Sequence, residues 1–178
     1  SENGVDYVPS SQMLTNITTF MAGDSDSNYI LKRILDNETY NQYEYIIIDC
    51  RTLLDLLASN ALSASTHVII PVESGIFSFD GLEKMLNKVK SINNSTNKTL
   101  KLLGILMNKY NRTNISASIV DSVRKEYPTF VFDTIIPFCP AQSEMAVVSQ
   151  KSCVDDKGSS MGIAFMKVVN EILKRIEG

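Results

Sequence analysis

The sequence predicts an α/β fold in which a mainly parallel sheet carries helices on both faces. Two observations lead to this fold class. Short apolar runs without polar alternation recur along the chain, as expected for strands buried on both faces. Segments with apolar residues at helical spacing separate these runs, and such alternation is typical of β-α-β units. The length of 178 residues, 44% of them hydrophobic, fits a single domain over residues 1–178.

The chain is organised around a β-α-β unit at residues 43–72. Three consecutive isoleucines at 46–48 are too few for a helix, so we expect them to form a strand buried on both faces. Apolar residues at helical spacing follow at 53–62, and residues 66–72 form a second apolar run. The first strand ends on Asp49, at the carboxyl edge where open α/β sheets bind ligands.

Turn and capping residues divide the rest of the chain into further elements. In chain order we expect a strand at 5–8, a helix capped by Ser10 or Ser11, a helix at 29–35, a helix from Ser78 or Asp80 to Ile92, a buried strand at 102–107, a helix at 115–125 with Ile115 on its apolar face, a buried strand at 130–136, a loop at 138–145, and a last helix from Ser159 or Ser160 to Ile176.

Asp49 has two interpretations from the residues alone. A carboxylate at a strand end can hold Mg²⁺ through water, or it can cap the helix that follows the strand. An apolar strand that ends in Asp fits both roles, so the choice depends on segments further along the chain.

Composition excludes several function classes. The net charge of −3 and the pI of about 5.2 provide no global basic field that would attract nucleic acid or an anionic membrane. No apolar run approaches the roughly 20 residues that span a bilayer. The three cysteines, Cys50, Cys139 and Cys153, show no Cys-x-x-Cys spacing. This odd number predicts a reducing compartment, the cytoplasm, and argues against a disulfide framework or a zinc site.

Five segments occur in the order and spacing of one protein family: 43–50 (Tyr-Glu-Tyr-Ile-Ile-Ile-Asp-Cys), 60–72 (Asn-Ala-Leu-Ser-Ala-Ser-Thr-His-Val-Ile-Ile-Pro-Val), 77–82 (Phe-Ser-Phe-Asp-Gly-Leu), 104–114 (Gly-Ile-Leu-Met-Asn-Lys-Tyr-Asn-Arg-Thr-Asn), and 136–138 (Ile-Pro-Phe) with 143–146 (Ser-Glu-Met-Ala). Together they resemble the ParA/MinD family of P-loop ATPases, and within it the ParA (Soj-like) partition branch. The first segment looks like the Walker B strand of that family. The resemblance covers nearly the whole chain.

The resemblance implies roles for four matched residues. Asp49 would hold the magnesium shell through water, and Asn108 matches a position where some members contact the nucleotide base. Pro137 and Phe138 would line the base pocket. From the residues alone, Asn108 fits equally well as a side chain that satisfies backbone groups in its loop, and Pro137 as the end of a strand.

Two departures from the family pattern bear on function. The family usually has Pro-Pro after the Walker B segment, whereas this chain has Arg51 and Thr52. We expect Arg51 to pair with Asp49 or Asp55, or to face solvent, rather than to contact a phosphate. In addition, no Gly-Lys-Thr or Gly-Lys-Ser occurs in the 178 residues. P-loop chemistry uses backbone N–H groups and such a Lys to hold phosphates, and the family carries these groups upstream of Gly4.

We therefore expect these residues to form the carboxyl-terminal two thirds or so of a ParA-like partition ATPase, inactive by themselves. The resemblance implies ATP and Mg²⁺ as cofactors, a homodimer on ATP binding, non-specific DNA, a centromere-binding partner protein, and a cytoplasmic or nucleoid location. The DNA contacts we expect are four outward lysines, for which a solvated helix face is the alternative interpretation: Lys84, Lys88, Lys125 and Lys151. The alternatives are a nucleotide-free binding module and a MinD-like ATPase that positions at membranes or cell poles.

The resemblance also has a consequence for the sheet. In the family, the P-loop strand lies between the Asp49 strand and the strand at 68–72. Without it, we expect these two strands to close on each other or to take another segment into the slot. Unpaired buried N–H and C=O groups cost about 1–3 kcal/mol each, against a net stability of about 5–15 kcal/mol.

Overall fold

The computed structural model describes residues 4–10, 13–21, 23–75, 78–149 and 151–178. The predictions that Ser11 caps a helix and that Phe77 opens a family segment fall outside these ranges. The described elements are α1 (Met13–Met21), α2 (Ile30–Leu35), α3 (Leu56–Ala64), β1 (His67–Glu73), α4 (Ser78–Asn94), β2 (Lys101–Asn108), α5 (Asn114–Glu126), α6 (Pro140–Ser149) and α7 (Ser160–Glu177), with 3₁₀ turns at Ser27–Tyr29 and Glu38–Gln42. The predicted α/β class is confirmed.

The sheet is built on one parallel pair. β1 runs beside β2 from the pair His67 and Lys101 to the pair Glu73 and Asn108. Because the two strands are parallel, both end at the same edge of the sheet.

The segment at 130–138 follows the other side of β2, but as an interrupted ladder rather than the continuous strand predicted. It forms two isolated bridges, between Ile105 and Val131 and between Tyr110 and Pro137. Between these bridges, the backbone N–H groups of residues 133 and 134 donate to the carboxylate of Glu171 on α7, at 2.8 and 3.1 Å. The carbonyls of Ile105 and Met107 on β2 accept instead from Phe132 and Ile136, so a helix side chain satisfies the donors at the interruption.

Successive side chains of β2 pack on opposite faces of the sheet. Ile105 and Met107, both fully buried, pack in a core that α4 and α5 cover. Leu106, the residue between them, packs instead with Val168 of α7. Successive strand residues point to opposite faces, so helices cover both faces, as predicted.

The prediction of a buried strand at 46–48 is wrong for the described structure. Residues 45–50 run without regular secondary structure, and Ile47 is 92% exposed. These residues pair with no described strand, and β1 pairs only with β2, so the slot is neither closed nor filled by another described segment. An extended segment can be buried only where neighbouring strands accept and donate its hydrogen bonds. The predicted strand at 5–8 is exposed as well.

Two further predictions differ from the structure. The segment at 138–145 was expected to form a loop, but α6 begins at Pro140. Proline is favoured at the first helical position because its fixed φ suits a helix and its missing N–H costs nothing there, so the sequence did contain a signal. Ile115 is 58% exposed, because the buried face of α5 starts one residue later, at Ser116.

Candidate functional site

The carboxyl edge of the sheet brings together three of the predicted site residues. Asn108 ends β2, and the backbone at 136–138 lies beside the residues that follow it. The N–H of Ile136 donates to the Met107 carbonyl at 2.9 Å, and the N–H of Phe138 donates to the Tyr110 carbonyl at 2.8 Å. Asn108, Pro137 and Phe138 therefore lie on adjacent backbone segments, although 29 residues separate them in the chain.

Among the described residues, only the oxygen of the Asn108 side-chain amide forms a hydrogen bond. Its Oδ1 accepts a hydrogen bond from the backbone N–H of Lys109 at 2.9 Å. This contact confirms the interpretation that Asn108 satisfies a backbone group of its loop. Its Nδ2 has no acceptor among the described residues, which leaves the amide N–H groups of this half-buried side chain for another partner.

Lys109 is the residue that shapes this loop. Its φ of 51° lies in the left-handed region, which residues other than glycine seldom adopt. Its Nζ lies 2.5 Å from Glu73 Oε1 at the end of β1, and its carbonyl accepts from Ser74 Oγ at 3.3 Å. Contacts at the N–H, the carbonyl and the ammonium group thus hold Lys109 in this strained conformation.

A buried polar cluster ties the loops after β1 and β2 together. Ser116, which is 1% exposed, lies with its Oγ 3.2 Å from the Ser74 carbonyl oxygen and in short contact with Asn111 Oδ1. Thr113 caps α5 by accepting from the Ser116 N–H, and its hydroxyl also donates to Asn111 Oδ1 at 2.9 Å. Neither this cluster nor the Lys109–Glu73 pair could be predicted from the sequence, because partners 36 to 42 residues apart produce no local pattern.

Asp49 has an exposed carboxylate with no hydrogen-bond partner among the described residues. The helix cap that the alternative interpretation assigned to it is provided by Asp55, whose Oδ1 accepts from the N–H groups of Leu57 and Ala58 at 3.1 Å each. The carboxylate of Asp49 thus stays available for a ligand.

Arg51 pairs with Asp55, one of the partners that the sequence offered. Arg51 Nη2 lies 2.5 Å from Asp55 Oδ2, four residues along the chain. Burial opposes ionisation of Asp55, but the hydrogen bonds from Ala58 and Arg51 outweigh it and lower the pKa of this carboxyl. Partial burial, and then the negative charges of Asp49 and Asp55, raise the pKa of the neighbouring Cys50 thiol.

The described residues fit Mg²⁺ only through water-mediated contact, not as a direct ligand set. They contain no group of three His, Cys, Asp or Glu side chains that could hold a metal ion. Mg²⁺ prefers six oxygen ligands and usually keeps several waters, so Asp49 fits a contact through water. The remaining ligands would come from a nucleotide phosphate and from groups outside the described residues.

The four predicted DNA-contacting lysines are spread over three places. Lys84 and Lys88 lie on α4 and Lys125 on α5, two helices that cover the same face of the sheet, whereas Lys151 follows α6. None of the four forms an ion pair with any part of the chain that the structure describes. No described contact gathers them into one patch.

The chain is similar in sequence to one family model and to several known proteins. Residues 1–102 match the AAA_31 family, described as an AAA domain. The chain is 34% identical to sporulation initiation inhibitor protein Soj of Bacillus subtilis over 134 residues, which are 75% of this chain and 53% of Soj. It is 25% identical to chromosome partitioning protein ParA of Caulobacter vibrioides over 174 residues, 97% of this chain and 65% of ParA. The chain thus spans between half and two thirds of these curated relatives.

Solved structures share the fold. Cobyrinic acid a,c-diamide synthase from Mycobacterium smegmatis, with bound ATP analog and magnesium, has a TM-score of 0.83 at 24% identity. The match covers all of this chain and 66% of that protein. The cell division ATPase MinD of Pyrococcus furiosus has a TM-score of 0.65 at 21% identity, over 85% of this chain and 62% of MinD. At these identities the likeness shows the fold alone.

Proposed function

The chain belongs to the ParA/MinD family of P-loop ATPases, and from this we propose that it is part of an ATPase of chromosome or plasmid partitioning. In this proposal the described residues supply the base side of the nucleotide site and the Walker B carboxylate, Asp49. The phosphate-binding Lys would come from elsewhere in the protein, because the 178 residues contain no Gly-Lys-Thr or Gly-Lys-Ser.

The observation that carries the proposal is the arrangement at the carboxyl edge of the sheet. Phe138 is 52% exposed beside the loop that carries Asn108, whose amide N–H groups have no described acceptor. An exposed aromatic ring can stack on a base, and an amide can contact the edge of that base. This combination of side chains suits a nucleotide base at the position where parallel sheets bind ligands.

ATP with Mg²⁺ is the ligand that we propose for this edge. A bound Mg²⁺ would neutralise phosphate charge and align the phosphates. The contribution of this chain would be Asp49, which would fix a water of the metal shell, and Pro137 with Phe138, which would hold the base. The solved relative from Mycobacterium smegmatis, which has an ATP analog and magnesium bound, supports this choice of ligand.

The partners in this proposal are a second copy of the protein on ATP binding, non-specific DNA and a centromere-binding protein, in the cytoplasm or on the nucleoid. Soj and ParA carry names of sporulation control and chromosome partitioning, which supports a partition role. For DNA the proposed contacts are Lys84, Lys88, Lys125 and Lys151, which would meet phosphates rather than bases.

A nucleotide-free binding module, which would keep this fold and its surface without binding a nucleotide, is the second candidate. A MinD-like role at membranes has less support. It would use a basic amphipathic tail, whereas α7 buries Ala164 and Val168 against the sheet and ties Arg175 to backbone carbonyls. Within the described residues, no helix combines the length and the apolar character needed to cross a membrane.

The test uses the protein made from its complete reading frame, with Mg²⁺-dependent ATP hydrolysis measured with and without DNA. We expect turnover that Asp49→Ala reduces by about 10- to 100-fold, as found for groups that position metal ligands. Asp121→Ala, a change of the same kind on the exposed face of α5, is the matched control and should leave turnover unchanged. An absence of nucleotide binding by the wild-type protein would support the nucleotide-free module instead.

A further inference from the structure

The loop after β2 decides which chemical group Asn108 can offer to a ligand. We propose that Asn108 is a donor-only reader of the purine ring, which hydrogen-bonds to the N7 acceptor and accepts adenine and 6-oxopurines alike. This inference rests on the proposed function, because it assumes that a nucleotide base lies at this edge. It adds which atom of the base is recognised and which bases are not distinguished.

The amide orientation of Asn108 follows from its neighbour. The N–H of Lys109 points at the side chain of Asn108, 2.9 Å away. An amide has one acceptor, Oδ1, and one donor group, Nδ2. With Nδ2 turned toward Lys109, two donors would face each other and the N–H would lose its acceptor. Oδ1 is therefore committed to the loop, and Nδ2 is the group that remains for a ligand.

Lys109 cannot easily turn away to release this constraint. The Ser74 hydroxyl donates to its carbonyl, Glu73 binds its ammonium group, and the next residue, Tyr110, continues the ladder by donating to the Ile136 carbonyl at 3.0 Å. These contacts hold the left-handed conformation on both sides of the residue. Strained residues of this kind are concentrated at ligand sites, where they pre-organise a contact.

A donor at this position is selective in a defined way. Adenine presents N7 as an acceptor and its 6-amino group as a donor, whereas guanine presents both N7 and O6 as acceptors. The Nδ2 group of Asn108 can bond to N7 of either ring and has no way to accept from the 6-amino group of adenine. An N7 contact therefore selects purines without selecting adenine.

The neighbouring polar side chains do not provide a second reader. Asn111, two residues beyond Lys109, has its Oδ1 occupied by the Thr113 hydroxyl and by Ser116. Glu73, the acid at the end of β1, is engaged by Lys109. A carboxylate free to accept from the N1–H and 2-amino groups of guanine is thus missing from the described part of this loop, so guanine gains no advantage either.

The probes for this inference are nucleosides, which lack phosphates: adenosine, 7-deazaadenosine and inosine. Their dissociation constants for the 178-residue chain are measured from amide chemical shifts in NMR titrations. We expect adenosine to bind about three- to tenfold more tightly than 7-deazaadenosine, as one hydrogen bond provides. Inosine should bind within about threefold of adenosine. Equal binding of adenosine and 7-deazaadenosine, rejection of inosine, or no binding of any nucleoside would overturn the proposal.

The variant Asn108→Asp isolates the outward group. Aspartate keeps an oxygen for the Lys109 N–H, so the loop is retained, but it offers an acceptor where Nδ2 was a donor. The preference for adenosine over 7-deazaadenosine should fall to about one. Asn94→Asp, the same change at the exposed end of α4, is the control and should leave the preference intact. An equal loss of preference in both variants would contradict a specific role for Asn108.

These outcomes are separate from those of the hydrolysis test. Nucleosides do not need a phosphate site, so an N7 preference can be found even if the complete protein does not hydrolyse ATP. Conversely, ATP hydrolysis that depends on Asp49, together with equal binding of the two adenosines, would refute the N7 contact and leave the proposed function in place.

Discussion

The guanidinium carbon of Arg175 lies 4.2 Å from the centroid of the Phe132 ring. Phe132 is fully buried, and Arg175 Nη2 also donates to the Val131 carbonyl at 2.9 Å and to Glu171 at 3.0 Å. Its Nη1 donates to two more carbonyls, those of Leu103 and Phe130. This one side chain therefore fastens α7 to two neighbouring backbone segments of the sheet.

Arg175→Lys should lower the free energy of unfolding by about 1–3 kcal/mol, because an ammonium group cannot reproduce the planar fork that reaches three carbonyls. Urea denaturation followed by circular dichroism measures the change. The matched control is Arg33→Lys on α2, where the guanidinium is 52% exposed and pairs with Asp24 at 3.1 Å. That change should cost less than about 0.5 kcal/mol, and equal losses in the two variants would contradict the role of Arg175.

Gly104→Ala should destabilise the protein by about 1–3 kcal/mol through overpacking. A Cβ at Gly104 would collide with the Phe132 ring and would lie 2.7 Å from Arg175 Nη1 and 2.8 Å from the Phe130 carbonyl oxygen. Gly81→Ala is the control, since a Cβ there meets nothing within 4 Å and α4 should gain up to about 1 kcal/mol of helix propensity. Thermal unfolding midpoints should move in opposite directions, and a stable Gly104→Ala variant would disprove the close packing.

Stability should fall with acid partly through Glu171. Burial opposes its ionisation, but hydrogen bonds from the N–H groups of Asp133 and Thr134 and the charge of Arg175 outweigh burial and lower the pKa of Glu171. The unfolded state then binds the proton at a higher pH than the folded state, so this contribution is complete above the ordinary Glu pKa of about 4.3. It is lost as the pH falls through the lowered folded value.

Glu171→Gln tests this linkage in urea titrations between pH 7 and pH 3. Its free energy of unfolding should decline less steeply below pH 5 than that of the wild type. Glu177→Gln, at the exposed end of α7, should retain the wild-type slope. Parallel curves for wild type and Glu171→Gln would show that Glu171 contributes nothing to acid unfolding.

The 178-residue chain by itself should not hydrolyse ATP. It contains no Gly-Lys-Thr or Gly-Lys-Ser, and without a Lys and a nest of backbone N–H groups the triphosphate has no site that stabilises developing charge. Steady-state phosphate release by the purified chain should equal that of a blank. Turnover above the blank that Asp49→Ala abolishes would refute this prediction.

DNA binding, if carried by the four lysines, should weaken steeply with salt, with log K falling by about 0.9 per log unit of salt for each phosphate contact. Reversal of Lys84, Lys88, Lys125 and Lys151 to Glu should abolish binding of a random-sequence duplex in fluorescence anisotropy. The control reverses four other exposed lysines: Lys32, Lys98, Lys101 and Lys174. Equal effects of the two quadruple variants would indicate a response to net charge rather than a specific surface.

Much of the fold could be predicted because its signals are local. The apolar stripe of α4 fits a 3.6-residue period, and Leu82, Val89 and Ile92 are indeed buried. The end of β2 at Asn108 follows from the apolar run before it. Of the candidate site, the family resemblance implied that Asn108, Pro137 and Phe138 lie at the nucleotide base, and the parallel strands do bring their backbone segments to one edge. The prediction that Asp49 ends a buried strand is wrong for the described structure, because residues 45–50 have no regular secondary structure there.

What the sequence by itself determined is therefore the α/β class, strands β1 and β2 with the helices α4, α5 and α7, the family, and the residue types at the carboxyl edge of the sheet, since each is written within a short segment. Only the tertiary structure decided that Lys109 turns left-handed, that Ser116 joins two loops, and that residues 45–50 lie unpaired among the described strands. The physical reason is that burial and hydrogen bonding depend on partners distant in the chain. An isoleucine run favours a strand, but only a neighbouring strand can bury it.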